Sequence, residues 1–138
     1  MKSFFATKSD LGLAILRVGA GAIMLPFGLL KLGIITGQGS GIEATLVFLT
    51  GAGIPAFIGW LVIIGESLGA LSLILGFMTR FCAASLAVIM IGATYVMFGQ
   101  GYFMGYHDML LFLLIFVVLT ISGAGVWSVD AHIAKRLK

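Results

Sequence analysis

A chain of 138 residues, 61% of them hydrophobic and 9% charged, with a mean hydropathy of +1.21, is excluded from the ordinary soluble class, where charged residues make up about 25%. The formal net charge of +3 comes from basic residues gathered at the edges of apolar runs, which points to membrane topology and not to nucleic acid. One cysteine, Cys82, excludes an internal disulfide and a C-x-x-C redox pair, and the length fits a single domain, 1–138.

Met1 to Asp10 is a short polar start with Lys2 and Lys8. It resembles the basic region of a signal peptide, but Arg17 interrupts the apolar run, which continues through Leu30. An uncleaved first span is therefore expected over 11–34. Arg17, Gly21, Met24, Gly28 and Lys31 project onto one helical stripe, so polar and small residues share a face that should turn inward. The Gly-rich connection that follows contains Ser40-Gly41-Ile42-Glu43, a capping-box pattern ahead of ATLVFLT, and predicts a short interfacial helix.

Pro55 suits the first turn of a second span, 55–76, whose apolar run carries a single charge, Glu66. Gly59, Gly69 and Ala70 fall on its side of the helix and would let a neighbour approach closely. Gly76 to Arg80 reads as a tight turn, with Thr79 as the expected cap of a third span, 80–98. GQGYFMGYHD, Gly99 to Asp108, is a loop that places Tyr102, Phe103 and Tyr106 at headgroup level. A fourth span over 108–126 leads to an interfacial tail, 127–138, ending in Lys135, Arg136 and Lys138.

These elements predict an all-α integral membrane protein, an antiparallel four-helix bundle with short interfacial helices. Lys2, Lys8, Arg80, Lys135, Arg136 and Lys138 fall on one side of it and Lys31 near the other. The positive-inside rule then puts both termini in the cytoplasm, in a bacterial inner membrane.

A carboxyl group deep in a span is costly and a functional candidate. Glu66 reads either as one half of a structural pair or as a proton acceptor beside a ligand. Arg17 either snorkels to the cytoplasmic headgroups or pairs inside the bundle. Measured from the cytoplasmic ends, Arg17 lies roughly 9 Å deep and Glu66 roughly 15 Å deep, so the two are expected to form one polar site, directly or through water. Lys31 either meets outer headgroups or joins Tyr106, His107 and Asp108. Asp108 reads as a helix cap, and a lone His107 does not make a metal site. Tyr95 is a further candidate hydrogen-bond donor to a ligand. No metal, haem, nucleotide or hydrolase motif is visible, and Cys82 reads as a packing residue.

The pattern L-x-x-L-R-x-x-x-G at Leu13 to Gly21, F-G-x-x-K-L at Phe27 to Leu32, and Gly65 to Arg80 with its Glu and closing Thr-Arg resemble the DoxX family of small four-span bacterial membrane proteins. GYHDMLL and the closing Trp127 to Ala131 are similar to that family's pattern as well. Arg17, Lys31, Glu66 and Arg80 match its motifs, whereas Phe27 stands where members often have His. The resemblance implies a quinone-linked redox subunit or accessory protein, with quinone as the candidate cofactor and an electron-carrying redox partner. In that reading Arg17 or Tyr95 donates to a quinone carbonyl and Glu66 exchanges protons. The alternatives are a small proton-coupled transporter and a non-catalytic anchoring or assembly subunit. Expected partners are the lipid bilayer, the redox protein and a second copy in a homo-oligomer, with no nucleic acid.

Overall fold

The computed structural model describes residues 9–37, 40–101 and 106–137. The basic residues Lys2, Lys8 and Lys138, and the aromatic residues Tyr102 and Phe103 expected at headgroup level, lie outside that set. Among the described residues six helices follow one another: α1 Ser9–Lys31, α2 Ile42–Gly51, α3 Ala56–Leu75, α4 Thr79–Gly99, α5 Tyr106–Ser122 and α6 Val129–Arg136. Among the described residues there is no strand. Three helices are long and apolar enough to cross a membrane, namely Asp10–Lys31, Ala56–Leu75 and Thr79–Gly99. The helix Tyr106–Ser122, at 17 residues, is shorter.

The four longer helices close a ring in which α1 packs on α3, α3 on α4, α4 on α5, and α5 back on α1. Their neighbours run antiparallel. Gly21 of α1 faces Ala70 and Ile74 of α3, while Gly28 faces Ser67. Likewise Gly65 of α3 faces Ile89 of α4, and Gly69 faces Leu86. A Cβ at Gly28 would lie 2.8 Å from the Ser67 Cα, and one at Gly21 2.8 Å from the Ala70 oxygen, so the absence of side chains sets the α1–α3 distance. The stripe of Arg17, Gly21, Met24 and Gly28 is buried as its spacing requires.

The core where the helices meet is built from small and branched residues: Ala20, Ala70, Leu73, Ala83, Leu86, Ala87, Phe116 and Leu119. Large apolar side chains such as Ile15, Leu61, Phe81, Val88, Leu114 and Ile121 point outward, each at least 60% exposed. Exposed apolar surface of this extent suits a lipid solvent and not water.

Local starts and stops differ from the sequence expectation in four places. The helix after the first connection begins at an N-cap Gly41 with φ 101 and no side-chain cap bond, so the Ser40–Glu43 capping box is not formed. The cap of α4 is not the Thr79 side chain: Met78 occupies the N-cap position, and the Asp130 carboxylate accepts from the Met78 and Thr79 amides at 2.7 and 2.9 Å. Asp108 lies in the first turn of α5 and not at its cap, because the helix already starts at Tyr106. That helix stops at Ser122 instead of running to Val126, since Gly123 and Gly125 turn the chain with φ 80 and 73.

Candidate functional site: an ion pair on an apolar pocket

Late α1 and early α3 bring two charges together. The Lys31 ammonium donates to a Glu66 carboxylate oxygen at 2.5 Å. The Glu66 side chain is 4% exposed and that of Lys31 28%, so the pair spans from the packed interior toward an opening. The α1–α3 register produces it: with Gly28 opposite Ser67, residue 31 comes level with residue 66. An ammonium has three donors and a carboxylate about four lone-pair sites. Among the described residues one hydrogen bond joins them, and both residues line the adjoining space.

That space is a pocket of ≈ 240 Å³. Lys31, Glu66 and Asp108 are its charged lining, and the rest is almost entirely apolar. The short helix α2 contributes Thr45, Phe48 and Leu49 as a side wall, and Phe27 and Phe112 supply aromatic surface. Four methionines, Met24, Met90, Met97 and Met109, also line it. Thioether side chains are unbranched and polarizable, so they adapt to ligands of varied shape. The volume falls below the about 300–1,000 Å³ usual for a pocket enclosing a whole ligand.

The other candidates lie elsewhere. Arg17 and Glu66 are not brought together. The guanidinium instead reaches the C-terminal end of α3, where Nη1 donates to the Leu73 and Ile74 carbonyls at 2.5 and 3.0 Å, and Nη2 donates to the Trp127 carbonyl at 2.7 Å. It passes over Gly76, whose φ of 72 ends α3 and where a Cβ would lie 2.6 Å from Nη1. Only glycine combines that left-handed backbone with that approach. Tyr95 is 81% exposed on the outside of α4 and is not part of the pocket lining. His107 stacks on Tyr106 with ring centroids 4.1 Å apart, at the start of α5. No group of three or more His, Cys, Asp or Glu residues could hold a metal among the described residues.

Sequence reasoning missed the α2 wall and three of the four methionines. The apolar run of α2 carries no marker of the side it shows to a ligand, whereas Met24 was visible in the α1 stripe. It also missed the second role of Asp130, whose carboxylate bonds to residues 51 and 52 positions away.

The chain matches the family model DoxX over residues 12–99, from early α1 to the end of α4. It is 28% identical over 130 residues to the protein named "Putative oxidoreductase CatD" from Bacillus subtilis (strain 168), covering 94% of this chain and 92% of that one. No solved structure matches it. The family match covers well over half of the chain and includes Arg17, Lys31, Glu66 and Arg80, so the protein belongs to the DoxX family.

Proposed function

We propose that this protein is a quinone-binding subunit of a membrane oxidoreductase system, with the headgroup held in the pocket beside Lys31 and Glu66. The observation that carries the reading is the placement of a partly buried, hydrogen-bonding ion pair on the wall of an otherwise apolar pocket. A quinone needs that combination, an apolar slot for ring and tail and a polar group at the carbonyl. Lys31 donates to a quinone carbonyl oxygen, replacing Arg17 and Tyr95 in that role, and Glu66 is the neighbouring proton-exchange group. Its relative's name as an oxidoreductase supports a redox setting. The sequence carries no haem-ligand pair, nucleotide fingerprint or second cysteine, so electrons pass to or from a partner protein. The protein sits in the inner membrane with four spans and both ends cytoplasmic, α5 being the fourth.

The test is purification in a mild detergent followed by extraction and mass analysis of bound quinones. The wild-type protein should retain quinone near one per chain. Lys31→Met and Glu66→Gln should each lose it while eluting as folded protein. Absence of quinone from the wild type, or equal retention by both variants, would end the proposal and leave the anchoring reading.

A further inference from the structure

Every residue that lines the pocket comes from one half of the bundle. They are the last turns of α1 (Met24 to Lys31), α2, Ile54 just before α3, the stretch of α3 up to its middle (Val62 and Glu66), the late part of α4 (Ile89 to Met97) and the first turns of α5 (Asp108 to Phe112). The antiparallel order makes these the same end of the ring. The opposite end holds Arg80 beside Gly123. It also holds α6, with Lys135 and Arg136 in its last turn, joined to the α3–α4 turn through Asp130 and Gly76. Basic residues mark the cytoplasmic side, so the pocket belongs to the other leaflet. Asp108, an exposed first-turn residue of α5, is the charged group at its rim.

We propose that the pocket opens only toward the extracytoplasmic side, so that a headgroup and any proton reaching Glu66 enter from the outer leaflet and outer aqueous phase past Asp108. This inference rests on the quinone reading for its ligand, but its geometry stands without it. Between Glu66 and the cytoplasmic end lie the fully buried side chains of Leu73, Ala83, Leu86 and Leu119, a close-packed plug; the buried Ser67 hydroxyl there is held by the Ile63 carbonyl and the Arg17 guanidinium by the Leu73, Ile74 and Trp127 carbonyls. Two consequences follow. Protons taken up or released at Glu66 are exchanged with the outside. The electron-carrying partner meets this protein on its outer face, where the pocket is, and not at the basic end.

The experiment uses single cysteines in the full chain carrying Cys82→Ser. Ala93→Cys and Met97→Cys place a thiol on the pocket wall, and Ala131→Cys marks the opposite end. A small, cationic, membrane-impermeant methanethiosulfonate is applied to right-side-out and to inverted membrane vesicles. Both pocket cysteines should react severalfold faster in right-side-out vesicles, and Ala131→Cys severalfold faster in inverted ones. Adding Asp108→Asn should slow the cationic reagent severalfold and leave a neutral one unchanged, as expected for a carboxylate at the mouth. Faster reaction of the pocket cysteines in inverted vesicles, or no reaction from either side, would overturn the proposal. A short-tailed quinone added beforehand separates the two readings. Outer labelling without protection by the quinone would retain the access route and reject the ligand.

Discussion

At the α6 end, the Arg17 residue is 2% exposed and gives three hydrogen bonds to carbonyls of its own chain, while Asp130 gives both carboxylate oxygens to backbone amides of the α3–α4 turn. At the other end, Glu66 is as deeply buried but holds one ammonium and borders open apolar space. Both ends place charge where it is costly, and they offset that cost differently. The first turns most of its polar groups into backbone bonds that fix three chain segments, with Arg17 Nε and the Thr79 hydroxyl left buried without a partner among the described residues. The second leaves its polar groups with capacity to spare beside a pocket. Charge in a membrane interior is thus not in itself the mark of a ligand site.

The contrast predicts a large stability effect at one end and a small one at the other. Arg17→Leu should be the most damaging change. It strips donors from three carbonyls at a cost of about 1–3 kcal/mol for each acceptor left buried and unpaired. A melting temperature in detergent close to that of the wild type would show that the guanidinium bonds are dispensable. Next comes Gly28→Leu, which forces α1 away from Ser67 and separates Lys31 from Glu66. Overpacking of about 1–3 kcal/mol should lower the yield of monodisperse protein on size exclusion. An unchanged elution profile would contradict the close α1–α3 contact. Asp130→Ala removes the cap of α4 and should cost about 0.5–2 kcal/mol, read as a smaller drop in the same melt. The smallest stability effect should belong to Glu66→Gln, whose main consequence, on the proposed function, would be lost quinone retention.

A pair of double-mutant cycles sharpens the comparison further. Lys31 and Glu66 should couple by about 0.5–3 kcal/mol, since they touch. Arg17 and Glu66 should be additive within about 0.5 kcal/mol, because Arg17 lies roughly 20 Å along α1 from the lysine that meets Glu66. Coupling of Arg17 with Glu66 in the melts would mean that the two ends act as one site.

Much of the architecture was legible from residue order. The apolar runs located the three long helices α1, α3 and α4, the Arg17–Lys31 stripe found the buried face of α1, and Gly76 marked the end of α3. The pairing of charges was not legible, for a physical reason. Arg17 and Lys31 share one stripe, so both are directed at α3, and which of them meets Glu66 depends on the axial offset of the two helices. That offset is set by the seats of Gly21 and Gly28 against Ala70, Ile74 and Ser67, a packing detail that periodicity does not contain. The cap of α4 escaped for a similar reason. A local reading offers Thr79, while the group that binds there, Asp130, arrives from the far end of the chain.

The bond from Arg17 to the Trp127 carbonyl closes a loop of 110 residues, and this bears on how the protein is made. During synthesis α1 enters the membrane with its guanidinium in place long before residues 127–130 exist. Once α3 has followed, Leu73 and Ile74 supply two carbonyls, but the third acceptor and the carboxylate cap of α4 come only with the final segment. The stretch that follows the four longer helices, Trp127 to Asp130, is therefore the latch of the whole bundle. A chain stopped short of Trp127 keeps its apolar helices and lacks the Trp127 and Asp130 bonds that tie α1 and the α3–α4 turn together.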